Sequence, residues 1–201
     1  MKKDSEWDKK LKIHTTGRDD SHADTFHHPY EPTPYVVLER LAESGYIGKE
    51  NVVIDYGCGK GRVGFFLHYR LGCKVIGLVY EEQIYRQAQE NLQSYGGRQG
   101  VEFVCESAEK YEVTEGDCFY FFNPFPVEIL KSVMRRIVNS YYENPRRLQF
   151  FFYYPDDAYM SYLLAGDQDG LLSELYFVDE IDLGDLFAGA DSREKIVIFE
   201  M

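Results

Sequence analysis

Three glycines at alternate positions form the most distinctive pattern in this sequence. Gly57, Gly59 and Gly61 follow the apolar run 52–54 and Asp55, and an apolar pattern of helical period begins just after them. Glycine lets the backbone turn tightly and approach a ligand without side-chain obstruction. The carboxyl end of a strand in an open α/β sheet is also where such proteins bind ligands. The pattern therefore predicts a ligand-binding loop that contains Asp55 and the three glycines.

The residues around this loop argue against two common classes of nucleotide-binding protein. A dinucleotide-binding loop has a further glycine at the position of Arg62 and an acid near position 79, where this sequence has valine. A phosphate-binding P-loop ends in Gly-Lys-Ser or Gly-Lys-Thr, and neither tripeptide occurs in the sequence. An NAD-dependent oxidoreductase and a P-loop protein are therefore not expected.

The loop needs a strand before it and a helix after it, and the apolar pattern supplies both. Short apolar runs alternate with segments of helical period, which is typical of a doubly wound, mostly parallel sheet with helices on both faces. The two last runs have no clear helix between them, so they predict an antiparallel hairpin at the sheet edge. The predicted strands are residues 52–55, 75–78, 101–105, 118–122, 148–154, 175–178 and 195–199. The predicted helices are residues 33–41, 63–71, 81–92, 126–142 and 158–164. In the first of these, Thr33 is the expected cap and Pro34 lies in the first turn.

The loop and its surroundings resemble the class I S-adenosylmethionine-dependent methyltransferases. The first motif of that family is acid-x-Gly-x-Gly-x-Gly, which is met here by Asp55, Gly57, Gly59 and Gly61. The resemblance extends over residues 33–201, where the alternation matches the family's seven-stranded sheet with its terminal antiparallel hairpin. It implies S-adenosyl-L-methionine as cofactor, with the glycine loop at the methionine end of the cofactor and Asp55 helping to position it.

The end of the second predicted strand departs from the family pattern. Members of the family usually have an acid there that binds the ribose hydroxyls, and this sequence has Val79 followed by Tyr80. The resemblance places both residues at the cofactor. Glu81 or Glu82 can replace the acid only if the loop is shifted, and loss of a charge-assisted acceptor costs about 1.5–3 kcal/mol.

The end of the third predicted strand also departs from the family pattern. Ser107 takes the place of the acid that the family has near the adenine, with Glu106 beside it. A serine hydroxyl can still form a hydrogen bond with an amine. Two functions therefore stay open: an active methyltransferase, and a non-catalytic relative that binds the adenosyl cofactor without turnover.

A second motif follows the fourth predicted strand. Asn123-Pro124-Phe125 resembles the Asn-Pro-Pro-Tyr/Phe motif of methyltransferases that act on nitrogen, with one proline fewer. The resemblance implies that Asn123 accepts hydrogens of the acceptor amine while Phe125 packs on the substrate, so that positioning provides most of the catalysis. It also places Asn123 next to the cofactor. The alternative is a turn in which Asn123 caps and the prolines end the strand.

Residues 1–30 are predicted to form an N-terminal arm or lid, before a single domain of residues 31–201. The end of the arm and the start of the first helix offer Tyr30, Thr33 and Tyr35 to the cofactor mouth. This segment resembles, in few residues, the arm of seven-strand protein-lysine methyltransferases. A metal site formed by His22, His27 and His28 is not expected, because this tract of the arm lacks ligand-like spacing and cysteine partners.

The overall charge and the cysteines bear on partners and compartment. The sequence has 22 basic and 34 acidic side chains, a formal net charge of −12, which disfavours nucleic acid as a partner. The expected acceptor is a small molecule or a protein side chain. The four cysteines show neither a zinc nor a disulfide pattern, and the sequence shows no signal peptide or membrane span. We therefore expect a cytoplasmic protein, of an oligomeric state that the sequence leaves open.

Overall fold

The computed structural model describes residues 2–17, 31–96, 99–165 and 170–201, in a single mixed layer of strands with helices on both sides. The helices are α1 (Lys2–Leu11), α2 (Tyr35–Glu43), α3 (Arg62–Leu71), α4 (Glu82–Tyr95), α5 (Val127–Glu143) and α6 (Asp157–Ala165), with a 3₁₀ turn at Gly184–Leu186. The strands are β1 (Val52–Tyr56), β2 (Lys74–Val79), β3 (Val101–Cys105), β4 (Cys118–Phe121), β5 (Gln149–Tyr153), β6 (Tyr176–Asp182) and β7 (Lys195–Glu200).

The seven strands form one sheet in the order β3-β2-β1-β4-β5-β7-β6. Strands β1 to β5 run parallel, and β7 lies antiparallel between β5 and β6. The predicted fold class, including the antiparallel hairpin at the edge, is therefore confirmed. The order also shows that β6, which precedes β7 in the chain, is the outer strand.

The strand order reverses at β1, and this reversal locates the site. The chain runs outward from β1 through β2 to β3 and then returns to place β4 on the other side of β1. Crossover helices on either side of such a reversal leave a crevice at the carboxyl ends of the two strands. In the register of the sheet, Asp55 of β1 lies between Gly77 of β2 and Tyr120 of β4.

Apolar side chains of the sheet pack in two cores, one on each face. Residues of α2 and α3 such as Leu38 and Phe66 are fully buried on one face, and residues of α5 such as Met134 and Ile137 are fully buried on the other. Aromatic stacking in the second core includes Phe121 and Phe152, with ring centroids 4.8 Å apart. These packed faces hold the strand ends, and thus the site, in fixed positions.

The N-terminal segment contains a helix that the sequence analysis did not predict. Helix α1 packs against the first core through Trp7 and Leu11, and the Trp7 ring meets Phe66 edge-on at 4.9 Å. A signal for it exists, because Trp7 and Leu11 are four residues apart and the first turn is acidic while the last is basic. The assignment of residues 1–30 as an arm or lid stays a prediction.

The start of α2 also differs from the expectation. Pro34 occupies the N-cap position and has no side chain that can cap the helix, and the Tyr35 amide in the first turn donates to Asp4 Oδ1 at 3.3 Å. The Thr33 hydroxyl instead forms a hydrogen bond of 3.0 Å with the Tyr120 hydroxyl. No helix within the described ranges is long and apolar enough to cross a membrane.

Candidate functional site

A cavity of about 350 Å³ opens where the carboxyl ends of β1, β2, β3 and β4 meet. Eight of the residues predicted for the site line it together: Asp55, Gly57, Gly59, Val79, Tyr80, Ser107, Asn123 and Phe125. Two further predicted residues, Gly61 and Tyr35, do not line it. The sequence therefore located the cavity, and the structure separates residues that face it from residues that support it.

The Asp55 carboxyl is the most unusual polar group on the cavity wall. The side chain is 2% exposed, and its Oδ2 atom has no hydrogen-bond partner among the described residues. Burial raises the pKa of Asp55 to about 7. A buried acceptor without a partner is costly, because the group has lost its water and gained nothing in return. Such an atom fits a ligand that supplies a donor, and a cationic donor best.

Packing within the protein requires glycine at two of the three positions of the glycine loop. All three glycines have positive φ, and a side chain at Gly57 would collide with Pro124. At Gly61 a Cβ would lie 2.8 Å from the Phe65 ring, so this glycine allows α3 to start against the core. Gly57 and Gly59 therefore remain the glycines that can approach a ligand, and Gly61 supports the turn from outside the cavity.

The end of β2 supplies an acid two residues after the expected position. Val79 and the 60% exposed Tyr80 both line the cavity, and so does Glu81. Glu82 does not line it and pairs with Arg86 at 2.6 Å in the first turn of α4. Of the two alternatives that the sequence offered for the missing acid, the structure thus places Glu81 at the cavity.

Ser107 lines the cavity after β3 together with Glu106 and Ala108. The Ser107 carbonyl accepts hydrogen bonds from the backbone amides of Lys110 and Tyr111, at 2.9 and 3.2 Å. This turn fixes the half-buried Ser107 side chain at the rim. A polar hydroxyl beside an apolar methyl group suits the edge of a planar heterocycle.

Asn123 lines the cavity, but its amide group is bonded to the chain beyond β5. Its Nδ2 donates to the Tyr154 carbonyl at 2.7 Å, and its Oδ1 accepts from the Asp156 amide at 3.2 Å. Its φ of 40° is left-handed, which asparagine tolerates better than most residues. These contacts support the alternative interpretation of Asn123, in which its side chain caps a turn after β4. They leave one lone pair of Oδ1 for any ligand.

Phe125 is 6% exposed and packs edge-on against Tyr56 and Phe121. Its backbone carbonyl accepts a hydrogen bond of 2.6 Å from the Tyr159 hydroxyl. Phe125 therefore contributes an apolar floor to the cavity, while Phe122 beside it is half-buried at the rim.

Tyr35 lies in the core rather than at the cavity. Its hydroxyl donates to Asp8 Oδ1 at 2.6 Å, and its ring lies 4.5 Å from the guanidinium carbon of Arg62. The structure thus corrects the expectation for Tyr35, because the hydroxyl is already used within the protein. Arg62 lines the cavity in this region together with Glu31 and Thr33, and the sequence analysis used it only to exclude a dinucleotide.

Part of the predicted arm lies outside the described residues, including Tyr30 and three of its four histidines, His22, His27 and His28. Thr33, the remaining candidate from the arm, does line the cavity beside Glu31. Within the described residues, no group of three or more acidic, histidine or cysteine side chains is arranged to hold a metal ion.

Comparison with known proteins agrees with this architecture. A family model described as a methyltransferase domain matches residues 53–142, from β1 to the end of α5. The chain has the class I methyltransferase fold, and its residues 53–142 are similar to a methyltransferase domain. A protein-lysine N-methyltransferase from Saccharolobus islandicus is 31% identical over 71 residues, which are 35% of this chain. That match spans 44% of the relative's length.

Solved methyltransferase structures share the fold. A dimethyladenosine transferase from Plasmodium falciparum superposes with a TM-score of 0.57 at 15% identity, over 85% of this chain and 62% of that chain. An RNA methyltransferase from Salinibacter ruber, solved with S-adenosyl-L-homocysteine, gives a TM-score of 0.50 at 16% identity, over 85% of this chain and 92% of that chain. At these identities the likeness establishes the fold and leaves the substrate to the chemistry of the site.

Proposed function

We propose that this protein binds S-adenosyl-L-methionine in the cavity and transfers its methyl group to a nitrogen atom. One observation carries the proposal: the buried Asp55 carboxyl at the end of β1 has an oxygen without a partner and faces the cavity beside the glycine loop. The ammonium group of an amino acid supplies the cationic donor that this oxygen needs. The match of residues 53–142 to a methyltransferase-domain model supports the same cofactor.

The remaining wall fits an adenosyl compound. Val79, Ile84 and Ala108 give apolar surface, Ser107 gives a polar edge, and Glu81 gives a carboxylate close to the place where the family has its ribose-binding acid. Gly57 and Gly59 leave room for backbone contact. Tyr80 at the rim can cover a planar ring. When bound, S-adenosylmethionine supplies an electrophilic methyl group on sulfur.

The rim of the cavity favours a basic acceptor. Three carboxylate side chains line it, those of Glu31, Glu81 and Glu106. They lie in a chain of net charge −12, whose field attracts cations and repels phosphates. The lysine side chain of a protein is a nitrogen acceptor that matches this charge. The protein-lysine relative supports the same choice.

The chain's own residues can prepare such an amine for methylation. Carboxylates at the rim draw in the ammonium form, whereas Phe125 and Ile129 line a less polar interior. Desolvation there lowers the pKa of an amine, so that its proton is released to the rim or to water before attack. Asn123 keeps the loop after β5 against this wall through its two hydrogen bonds. Catalysis then rests mainly on positioning.

Calorimetry with S-adenosylhomocysteine tests the cofactor site. Gly59→Arg fills the loop and should abolish binding, because Gly59 is buried on the cavity wall. Gly45→Arg is the matched control, since Gly45 also has positive φ but open space around its Cα. Wild type and the Gly45 variant should bind alike. Equal binding by the Gly59 variant would remove the proposed site.

An acceptor screen with labelled S-adenosylmethionine tests the reaction. We expect label on lysine-containing peptides and on basic proteins, and none on RNA or DNA of the same concentration. Label on nucleic acid alone would overturn the amine acceptor. Cofactor binding without transfer to any class would support the alternative of a non-catalytic binding protein, for which the missing β2 acid is the supporting observation.

A further inference from the structure

Asn91 is a buried amide that joins two distant parts of the chain beside the glycine loop. It lies on α4, its side chain is 3% exposed, and it does not line the cavity. Its Nδ2 donates to the Lys60 carbonyl at 3.0 Å and to the His14 carbonyl at 3.2 Å. Its Oδ1 accepts a hydrogen bond from the His14 amide at 2.7 Å. One carboxamide therefore connects the glycine loop with the segment that follows α1.

The glycine loop needs such a contact to keep a single shape. Glycine occupies many backbone conformations, and all three glycines of the loop have positive φ. The peptide between Lys60 and Gly61 is bonded on both sides, because its carbonyl accepts from Asn91 and its amide donates to the Cys58 carbonyl at 2.9 Å. These two atoms of a trans peptide point in opposite directions. Asn91 therefore fixes the orientation of this peptide from outside the cavity.

Residues 13–16 form the other half of the connection. Their side chains are alternately buried and exposed, which is typical of an extended chain. The Thr15 and Thr16 hydroxyls accept hydrogen bonds from Arg62 at 2.8 and 3.4 Å, and Arg62 lines the cavity. The segment thus meets the site at two places, at the glycine loop through Asn91 and at the start of α3 through Arg62.

We infer that Asn91 is a positioning residue for the glycine loop, and that docking of residues 13–16 and binding of the cofactor strengthen each other. This inference rests on the proposed function for the identity of the ligand. Without the Asn91 amide, the loop populates shapes that do not accept the ligand, and the apparent affinity falls with the fraction of molecules that stay competent. Because coupling between two binding events is reciprocal, the ligand stabilises the docked segment by the same factor.

Calorimetry with S-adenosylhomocysteine measures the effect of the amide. Asn91→Ala should weaken binding by about tenfold, which corresponds to a loop that is competent in about one molecule in ten. Gln149→Ala is the matched control, because it also removes a buried, hydrogen-bonded carboxamide, but at the amino end of β5 and away from the cavity. The control should lower the thermal midpoint and leave the affinity unchanged. Equal affinities of the two variants would overturn the positioning role, whereas no binding by the wild type would instead refute the proposed function.

Two variants at His14 test the other side of the connection. His14→Pro removes the amide that donates to Asn91, because proline has no backbone N–H, and should weaken S-adenosylhomocysteine by about three- to tenfold. His14→Ala keeps this amide and changes only an exposed side chain, so it should bind like the wild type. His14 does not line the cavity, so neither substitution touches the ligand directly. Equal affinities for the two variants would contradict the coupling to the segment.

Hydrogen–deuterium exchange of the unaltered protein tests the reciprocal effect. Saturating S-adenosylhomocysteine should slow exchange at the amides of His14, Thr15 and Thr16, all of which donate to buried side chains, by about the factor that Asn91→Ala loses in affinity. The Met201 amide at the end of β7 is hydrogen-bonded far from the cavity and is the control, so its exchange should not change. Exchange of residues 14–16 that is the same with and without ligand would overturn the coupling, even if none of the variants folds.

Discussion

The two buried aspartates Asp8 and Asp55 meet opposite surroundings within one small domain. Asp8 is 6% exposed and accepts five hydrogen bonds, whereas Asp55 is 2% exposed and its Oδ2 accepts none from the described residues. Burial acts to raise the pKa of Asp8, but the bonds from Tyr35, Thr15 and Thr16 outweigh it and lower that pKa. For Asp55, burial raises the pKa without opposition. Among the described residues, the protein satisfies the Asp8 carboxyl and leaves one oxygen of the cavity-lining Asp55 carboxyl without a partner.

The largest effect is expected for Asp55→Asn. The pKa of Asp55 is about 7 in the folded protein and near 3.8 in the unfolded chain. Between pH 3.8 and pH 7, Asp55 is protonated in the folded protein but ionised in the unfolded chain. The free energy of unfolding of the wild type therefore falls as the pH rises through this range. The total fall is about 4 kcal/mol. Asparagine does not titrate, so the free energy of unfolding of the variant, measured relative to that of the wild type, should rise by about 4 kcal/mol between pH 4 and pH 8.

Urea unfolding at several pH values measures this difference. The same variant should bind S-adenosylhomocysteine more weakly than wild type above pH 7, where the wild-type Asp55 carboxyl is charged and the asparagine is not. A stability difference that does not change with pH would show that Asp55 has a partner in solution, and the contrast with Asp8 would fail.

Removal of the Asp8 carboxyl should lower the free energy of unfolding at neutral pH, whereas removal of the Asp55 carboxyl should raise it. Asp8→Ala leaves the Tyr35 hydroxyl and the amide and hydroxyl of Thr15 buried without an acceptor, so we expect a loss of about 3 kcal/mol in the free energy of unfolding. Because the pKa of Asp8 is lowered by folding, its contribution is present above pH 4 and disappears as the pH falls further. Urea unfolding at pH 7 and pH 3 checks both statements. A loss of less than about 1 kcal/mol at pH 7 would mean that water replaces these bonds easily.

Two neighbouring glutamates, Glu81 and Glu82, differ in the same way, since one lines the cavity and the other has a partner within the protein. Their substitution should have a smaller effect, on ligand affinity. Glu81 lines the cavity, whereas Glu82 pairs with Arg86 on the exposed start of α4. Glu81→Gln should weaken S-adenosylhomocysteine by about tenfold, the effect of one lost charge-assisted hydrogen bond. Glu82→Gln is the control and should leave the affinity unchanged. Equal affinities for both variants would show that another group replaces the missing β2 acid.

The features that the sequence predicted well are those with a local signal. The alternation of apolar runs predicted all seven strands, and the glycine spacing predicted a ligand-binding loop at the carboxyl end of β1, where the cavity opens. The bounds of β3 were predicted to the residue, while β6 extends four residues beyond its prediction, to Asp182. Local patterns are sufficient here because each strand and helix buries its own apolar face.

The features that escaped prediction depend on contacts between distant parts of the chain. Arg62 reaches Thr15, and Tyr35 reaches Asp8, across 47 and 27 residues. Spacing within one segment carries no information about such partners. Asn123 gives the same lesson, because its motif suggested contact with a substrate and only the fold shows that its amide bonds to Tyr154 and Asp156. A motif identifies a place, whereas the atoms that remain available there follow from tertiary structure.

The placement of β7 between β5 and β6 has a consequence for synthesis on the ribosome. Strand β6 pairs only with β7, and the outer edge of β5 is also covered by β7. About 40 residues separate the end of β5 from the start of β7, which at the usual translation rate correspond to roughly 2 to 8 s. During that time the nascent chain presents the open edge of β5, with its sequence Gln-Phe-Phe-Phe-Tyr. An uncovered apolar strand edge is a template for aggregation, so chaperone contact at this stage should matter more for yield than any later step.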